Sequence, residues 1–68
     1  MEILTTHRAV VDELGGVEAV IKLTGVKSDT VVYNWMARQK FPPELYVLMS
    51  RALVGVGKTA PPSLWGQS

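Results

Sequence analysis

The chain has no cysteine and a single histidine. Without thiolates there is neither a disulfide framework nor a thiolate metal site, and one imidazole does not supply a metal's ligand set. A chain this short must then hold itself by packing or by self-association, and a reducing cytoplasm fits it. Excess charge is equally scarce: seven Lys and Arg stand against six Asp and Glu, for a net charge of +1. Composition alone therefore does not announce a binder of polyanions. There is no run of ~18 apolar residues and no basic, apolar leader, so no membrane partner is expected and a cytoplasmic location is. The acids are scattered without a Ser or Lys partner at a telling spacing, and His7 stands alone, most simply as a surface residue. No catalytic constellation, small-molecule substrate, metal or cofactor follows, and the chain reads as a non-enzyme. Gly55-Val56-Gly57-Lys58-Thr59 ends like a phosphate loop, but the upstream glycine spacing and the preceding strand are missing.

What is present is a core-forming pattern. With 68 residues and 47% hydrophobic content, the chain is one folded domain and not a disordered tail. Thr5 or Thr6 can cap a first helix, about Thr6 to Leu14, that turns Val10, Val11 and Leu14 inward and stops at Gly15-Gly16. Gly16 then opens a second helix, Val17 to Thr24, with Glu18 in the first turn where the helix dipole favours an acid. Val17, Val20, Ile21 and Thr24 recur at i, i+3, i+4 and i+7, one stripe of a helix too short to stand unpacked.

Gly25 ends that helix in a tight turn, with Val26 plugging inward and Lys27 exposed. Ser28 caps a third helix running from Asp29 to Arg38 or Gln39. Several of its residues lean toward strand by propensity, but the spacing and the caps favour helix. One face carries Ser28, Val32, Trp35 and Met36, with Trp35 expected in the core, and the other carries Thr30, Tyr33, Asn34 and Ala37. Only the second face suits a groove of base edges, so the pair of helices has the outline of a DNA-reading helix-turn-helix.

Phe41-Pro42-Pro43 closes the third helix, and Pro43 opens a fourth. Leu45, Leu48, Met49, Ala52 and Leu53 form its apolar stripe, expected to roof the core, and Gly55 and Gly57 end it. A strand over Tyr46-Val47-Leu48 is the alternative, disfavoured by the proline and the 3.6 period. Residues 1–57 thus form an all-α, compact domain of four to five helices, and 58–68 an extended tail in which Leu64 and Trp65 fold back onto the core or insert into a second subunit.

Residues 15–46 resemble the small Cro-type phage and prophage repressors, a lambda-repressor-like fold. The resemblance rests on Gly15-Gly16, Thr24-Gly25, Val32-Tyr33-Asn34-Trp35 and Pro42-Pro43-Glu44, and the ending Pro61-Pro62-Ser63-Leu64-Trp65-Gly66 is similar to the tails of proteobacterial members. One departure stands out: the separation of Gly25 and Trp35 is one residue longer than the family's usual spacing. Alignment on Val32 and Trp35 keeps both inward and makes Ser28 the N-cap. The resemblance then implies base-reading positions at Asp29, Thr30, Tyr33 and Asn34, and a homodimer that represses transcription from operator DNA.

In that register Asn34 is the strongest reader, since its amide can accept from and donate to adenine. Thr30 can meet a thymine methyl, and Tyr33 can stack or reach a phosphate. Asp29 either accepts from cytosine or serves as a helix-start charge, the second being better supported near phosphates. Lys27, Ser28, Arg38, Gln39 and Lys40 are placed to hold phosphate oxygens, and positive charge is weighted toward and beyond this helix. Within the same fold, an antitoxin that regulates its own toxin gene pair is the runner-up. From another class, the rival is a protein-interaction module that grips through the Leu45–Leu53 stripe and the Leu64-Trp65 tail, binding no DNA.

Overall fold

The computed structural model describes residues 2–66. Helix α1 (His7–Glu13) starts at Thr6, whose hydroxyl accepts from the Ala9 amide at 3.1 Å. That bond satisfies one of the amides a helix start leaves unpaired. Helix α2 (Val17–Thr24) begins at Gly16 and ends at Gly25, whose amide donates to the Ile21 carbonyl at 2.8 Å and whose φ of 76° turns the chain out of the helix. Four residues later helix α3 (Asp29–Arg38) begins. Ser28 occupies its N-cap position in extended backbone, but makes no side-chain cap bond.

Gln39 ends α3 at φ 55°, the one non-glycine residue with positive φ among those described. Its amide donates to Met36 at 3.2 Å, and the Lys40 amide donates to Trp35 at 3.0 Å. These are the two bonds of a Schellman cap, which turns the chain sharply toward Phe41. The fourth helical region departs from the expected start: Pro43–Leu45 is a 3-10 turn, and α4 itself spans Tyr46–Gly55. The first prolines supply no amide donors, so the opening turn tightens before regular bonding begins. Residues Tyr46-Val47-Leu48 are helical, not strand.

The C-terminal segment is not the extended tail expected from its prolines and glycines. Strand β1 (Glu2–Ile3) pairs in parallel with strand β2 (Lys58–Thr59), with Glu2 opposite Lys58 and Ile3 opposite Thr59. The Leu4 amide donates to the Thr59 carbonyl at 2.7 Å. Lys58 Nζ lies 2.8 Å from Glu2 Oε1; the ammonium holds the carboxyl below its usual range, and the carboxylate raises the ammonium in return. Beyond the strand, Pro62–Trp65 forms a second 3-10 turn. Gln67 and Ser68, the last residues of segment 58–68, lie outside the described residues, as does Met1. The fold is therefore mostly helical, with four α-helices and one short strand pair among the described residues.

The core joins Val10 and Val11 of α1, Val20 of α2, Val32 of α3, and Met49 and Leu53 of α4 to Leu4, Ala60 and Leu64. Phe41 and Trp65 complete it, both at 0% exposure. Phe41 lies between other rings: its centroid is 4.7 Å from that of His7, 5.2 Å from Trp65 and 6.1 Å from Trp35. Trp65 Nε1 donates to the Met49 sulfur at 3.4 Å, so the indole is buried with its polar atom partnered. Trp65 is therefore fully enclosed by its own chain and is not free to enter a second copy.

Three expectations are corrected by this packing. His7 is no surface residue: it is 8% exposed, and its Nε2 lies 2.9 Å from the Leu64 carbonyl. A carbonyl only accepts, so Nε2 carries the proton, and the same carbonyl also accepts from the Phe41 amide at 2.9 Å. Trp35 packs against the core but stays partly exposed, because Phe41 and Trp65 fill the centre. Leu48 lies on the outer side of α4 at 40% exposure, and the roof is carried by Met49 and Leu53.

Candidate functional site

The geometry of α3 follows from its sequence period. At about 100° per residue, Val31, Val32, Trp35 and Met36 fall on one side and Asp29, Thr30, Tyr33, Asn34 and Ala37 on the other. Val32 is fully buried, and Val31, Trp35 and Met36 are partly buried. All five residues of the second set are exposed, with Tyr33 at 54%. Apolar contacts with the core thus fix the rotation of the helix, and rotation decides which polar side chains face outward.

Cationic and polar groups stand at both ends of this face. Lys27 and Ser28 are exposed in the turn before α3, and Arg38, Gln39 and Lys40 are exposed at its end. Among these, Lys40 has a second neighbour, since its side chain passes over Gly66 in the C-terminal turn. Gly66 is in the left-handed region at φ 72°, and a Cβ there would stand 2.7 Å from Lys40 Cε. The tail therefore positions this lysine. Asp29 sits in the first turn of α3, where a carboxylate complements the helix dipole.

The turn from Gly25 to Ser28 leads into α3 in this arrangement. Gly25 takes the left-handed conformation, Val26 packs against the core, and Lys27 projects outward. The turn is braced from α2 by Thr24, whose hydroxyl donates to the Val20 carbonyl at 2.8 Å.

One feature of the site has no counterpart in the sequence pattern. A groove of about 690 Å³ runs between the start of α1 and the outer side of α3, lined in part by Thr5, Arg8, Asp12, Tyr33 and Gln39. Arg8 and Thr5 are exposed there, beside two residues already singled out on α3. Arg8 therefore joins the cations around α3, while Asp12 offsets part of that charge. The signal available in sequence was only that Arg8 follows an N-cap by two residues, which says nothing about its distance from α3.

Among the described residues no group of His, Asp or Glu is arranged to hold a metal ion, and no helix is long and apolar enough to cross a membrane. No buried side-chain polar atom among them lacks a hydrogen-bond partner. The polar side chains on the outer side of α3 and at its two ends are exposed. In comparisons with known proteins the chain matches no family model, no curated protein and no solved structure.

Proposed function

We propose that the chain is a sequence-specific DNA-binding regulator, a Cro-like repressor in which α2, the Gly25–Ser28 turn and α3 act as a helix-turn-helix. The observation that carries this reading is the outward face of α3. Asp29, Thr30, Tyr33 and Asn34 are exposed together, between Lys27 at one end and Arg38 and Lys40 at the other. An α-helix fits the major groove, and side chains of these types can meet base edges there. The cations, with Ser28 and Gln39, hold the phosphates on either side and set the register; Arg8 does so from α1. Specificity comes from α3, and the active form is a homodimer on a two-fold operator. An antitoxin acting on its own promoter would use the same surface.

The alternative of a protein-interaction module loses part of its grip. Leu64, Trp65, Met49 and Leu53 are buried in the chain's own core, so they are not available to a partner.

The test is titration of a random duplex at two salt concentrations. With Arg8, Lys27, Arg38 and Lys40 on phosphates, affinity per protomer should fall about a hundredfold between about 50 and 200 mM salt, through counterion release. Absence of duplex binding at low salt would overturn the reading.

A further inference from the structure

The outer side of α4 carries a stripe that neither the core nor the α3 site uses. Glu44, Val47, Leu48 and Arg51 stand at i, i+3, i+4 and i+7, the first on the 3-10 turn that leads into the helix, and all four are exposed. Val47 is 58% exposed and Leu48 40%. The buried residues Met49 and Leu53 lie on the opposite side of the same helix. Among the described residues the one ion pair is Lys58 with Glu2, and neither Glu44 nor Arg51 is paired with an opposite charge there.

The order of this stripe is an acid, two apolar residues and a base, and it is its own complement. A two-fold axis through the midpoint between Val47 and Leu48 exchanges position 44 with position 51. We infer that this face joins two copies of the chain, with the α4 helices antiparallel and Val47 and Leu48 meeting at the axis. Glu44 then faces the partner's Arg51, and Arg51 faces the partner's Glu44. At a rise of about 1.5 Å per residue, each charge lies about 5 Å along the helix from the axis, which places the ion pairs just outside the apolar contact. Such an interface is isologous, the same patch on both sides.

Charge selects this occupant over others. A stripe fitted to a polyanion or to an acidic peptide would carry one sign, whereas this one is neutral and matches itself. A parallel pairing of the helices would set Glu44 on Glu44 and Arg51 on Arg51, so the charges also fix the direction. Val54, 54% exposed, extends the apolar edge toward the end of α4. The inference rests on the proposed repressor reading for the expectation of a second copy, but the choice of face is independent of it.

Sedimentation equilibrium of the full chain without DNA, from about 1 μM to about 1 mM, tests the assignment. The wild type should dimerise. Glu44→Arg and Arg51→Glu should each weaken the dimer at least about tenfold, because each places like charges together at two symmetric points. The double variant Glu44→Arg/Arg51→Glu should return to within about threefold of wild type. Val47→Asp should leave a monomer with an unchanged circular dichroism spectrum, since the residue is exposed.

A wild type that stays monomeric throughout overturns the inference. So does a dimer that is indifferent to both single reversals, or a double variant no better than the singles. Titrating each folded variant with a duplex separates the two claims: single reversals that leave the dimer intact while the duplex is still bound defeat the face alone, and a dimer that responds to the reversals but binds no DNA defeats the repressor reading alone.

Discussion

Asn34 concentrates the DNA-reading proposal in one side chain. Its amide is exposed on α3 and makes no hydrogen bond to the described protein atoms, so the fold does not depend on it. Asn34→Ala should therefore leave the melting temperature nearly unchanged while reducing discrimination between preferred and scrambled duplexes by about 1–3 kcal/mol. Competition binding against both sequences measures this, and a large fall in melting temperature would instead identify Asn34 as structural. The outward direction of Asn34, Tyr33 and Thr30 was legible in the sequence, because Val32 on the same helix has to be buried and the helical period does the rest. The role of His7 was not legible. Its hydrogen-bond acceptor, the Leu64 carbonyl, is 57 residues away along the chain.

At the scale of the element, the helix ends show where local rules suffice. Thr6, Gly16 and Gly25 all act where their residue types predict, since caps are made within a few residues of the chain. Gln39 is the exception: a glutamine takes the left-handed position that glycine would occupy with less strain. Gln39→Gly should raise stability by about 0.5–1 kcal/mol, the relieved strain being partly offset by the greater freedom of glycine in the unfolded chain. Urea denaturation should show the gain. If Gln39 also holds a phosphate, duplex affinity of the same variant should fall as stability rises, which a merely structural glutamine would not produce. The strand pair was out of reach of the same local rules. Two residues on each side carry no readable period, and β1 and β2 meet only because the rest of the domain brings both ends of the described chain together.

For the whole molecule, the C-terminal segment is part of the core. Trp65 touches Phe41 and Tyr46 through their rings and Met49 through its sulfur, while the preceding Leu64 carbonyl anchors His7 and the Phe41 amide. Truncating a buried tryptophan costs about 3–5 kcal/mol, comparable to all the stability a single core of this size supplies. Trp65→Ala should accordingly lose most of its helical circular dichroism at room temperature. A cooperative thermal transition near that of the wild type would show that the segment is dispensable.

The sequence by itself determined the approximate helix positions, the caps at Thr6, Gly16 and Gly25 and the outward side of α3, because each depends on residues a few positions apart and on the 3.6-residue period. Only the tertiary structure decided that His7 and Trp65 are core, that Leu48 is surface, and that Arg8 stands beside α3. Those outcomes depend on which distant segments compete for the same interior, and Phe41 and Trp65 occupy its centre. The register of α3 belongs to both: the pattern proposed it, and the burial of Val32 with the partial burial of Trp35 is the physical constraint that holds the helix in that rotation.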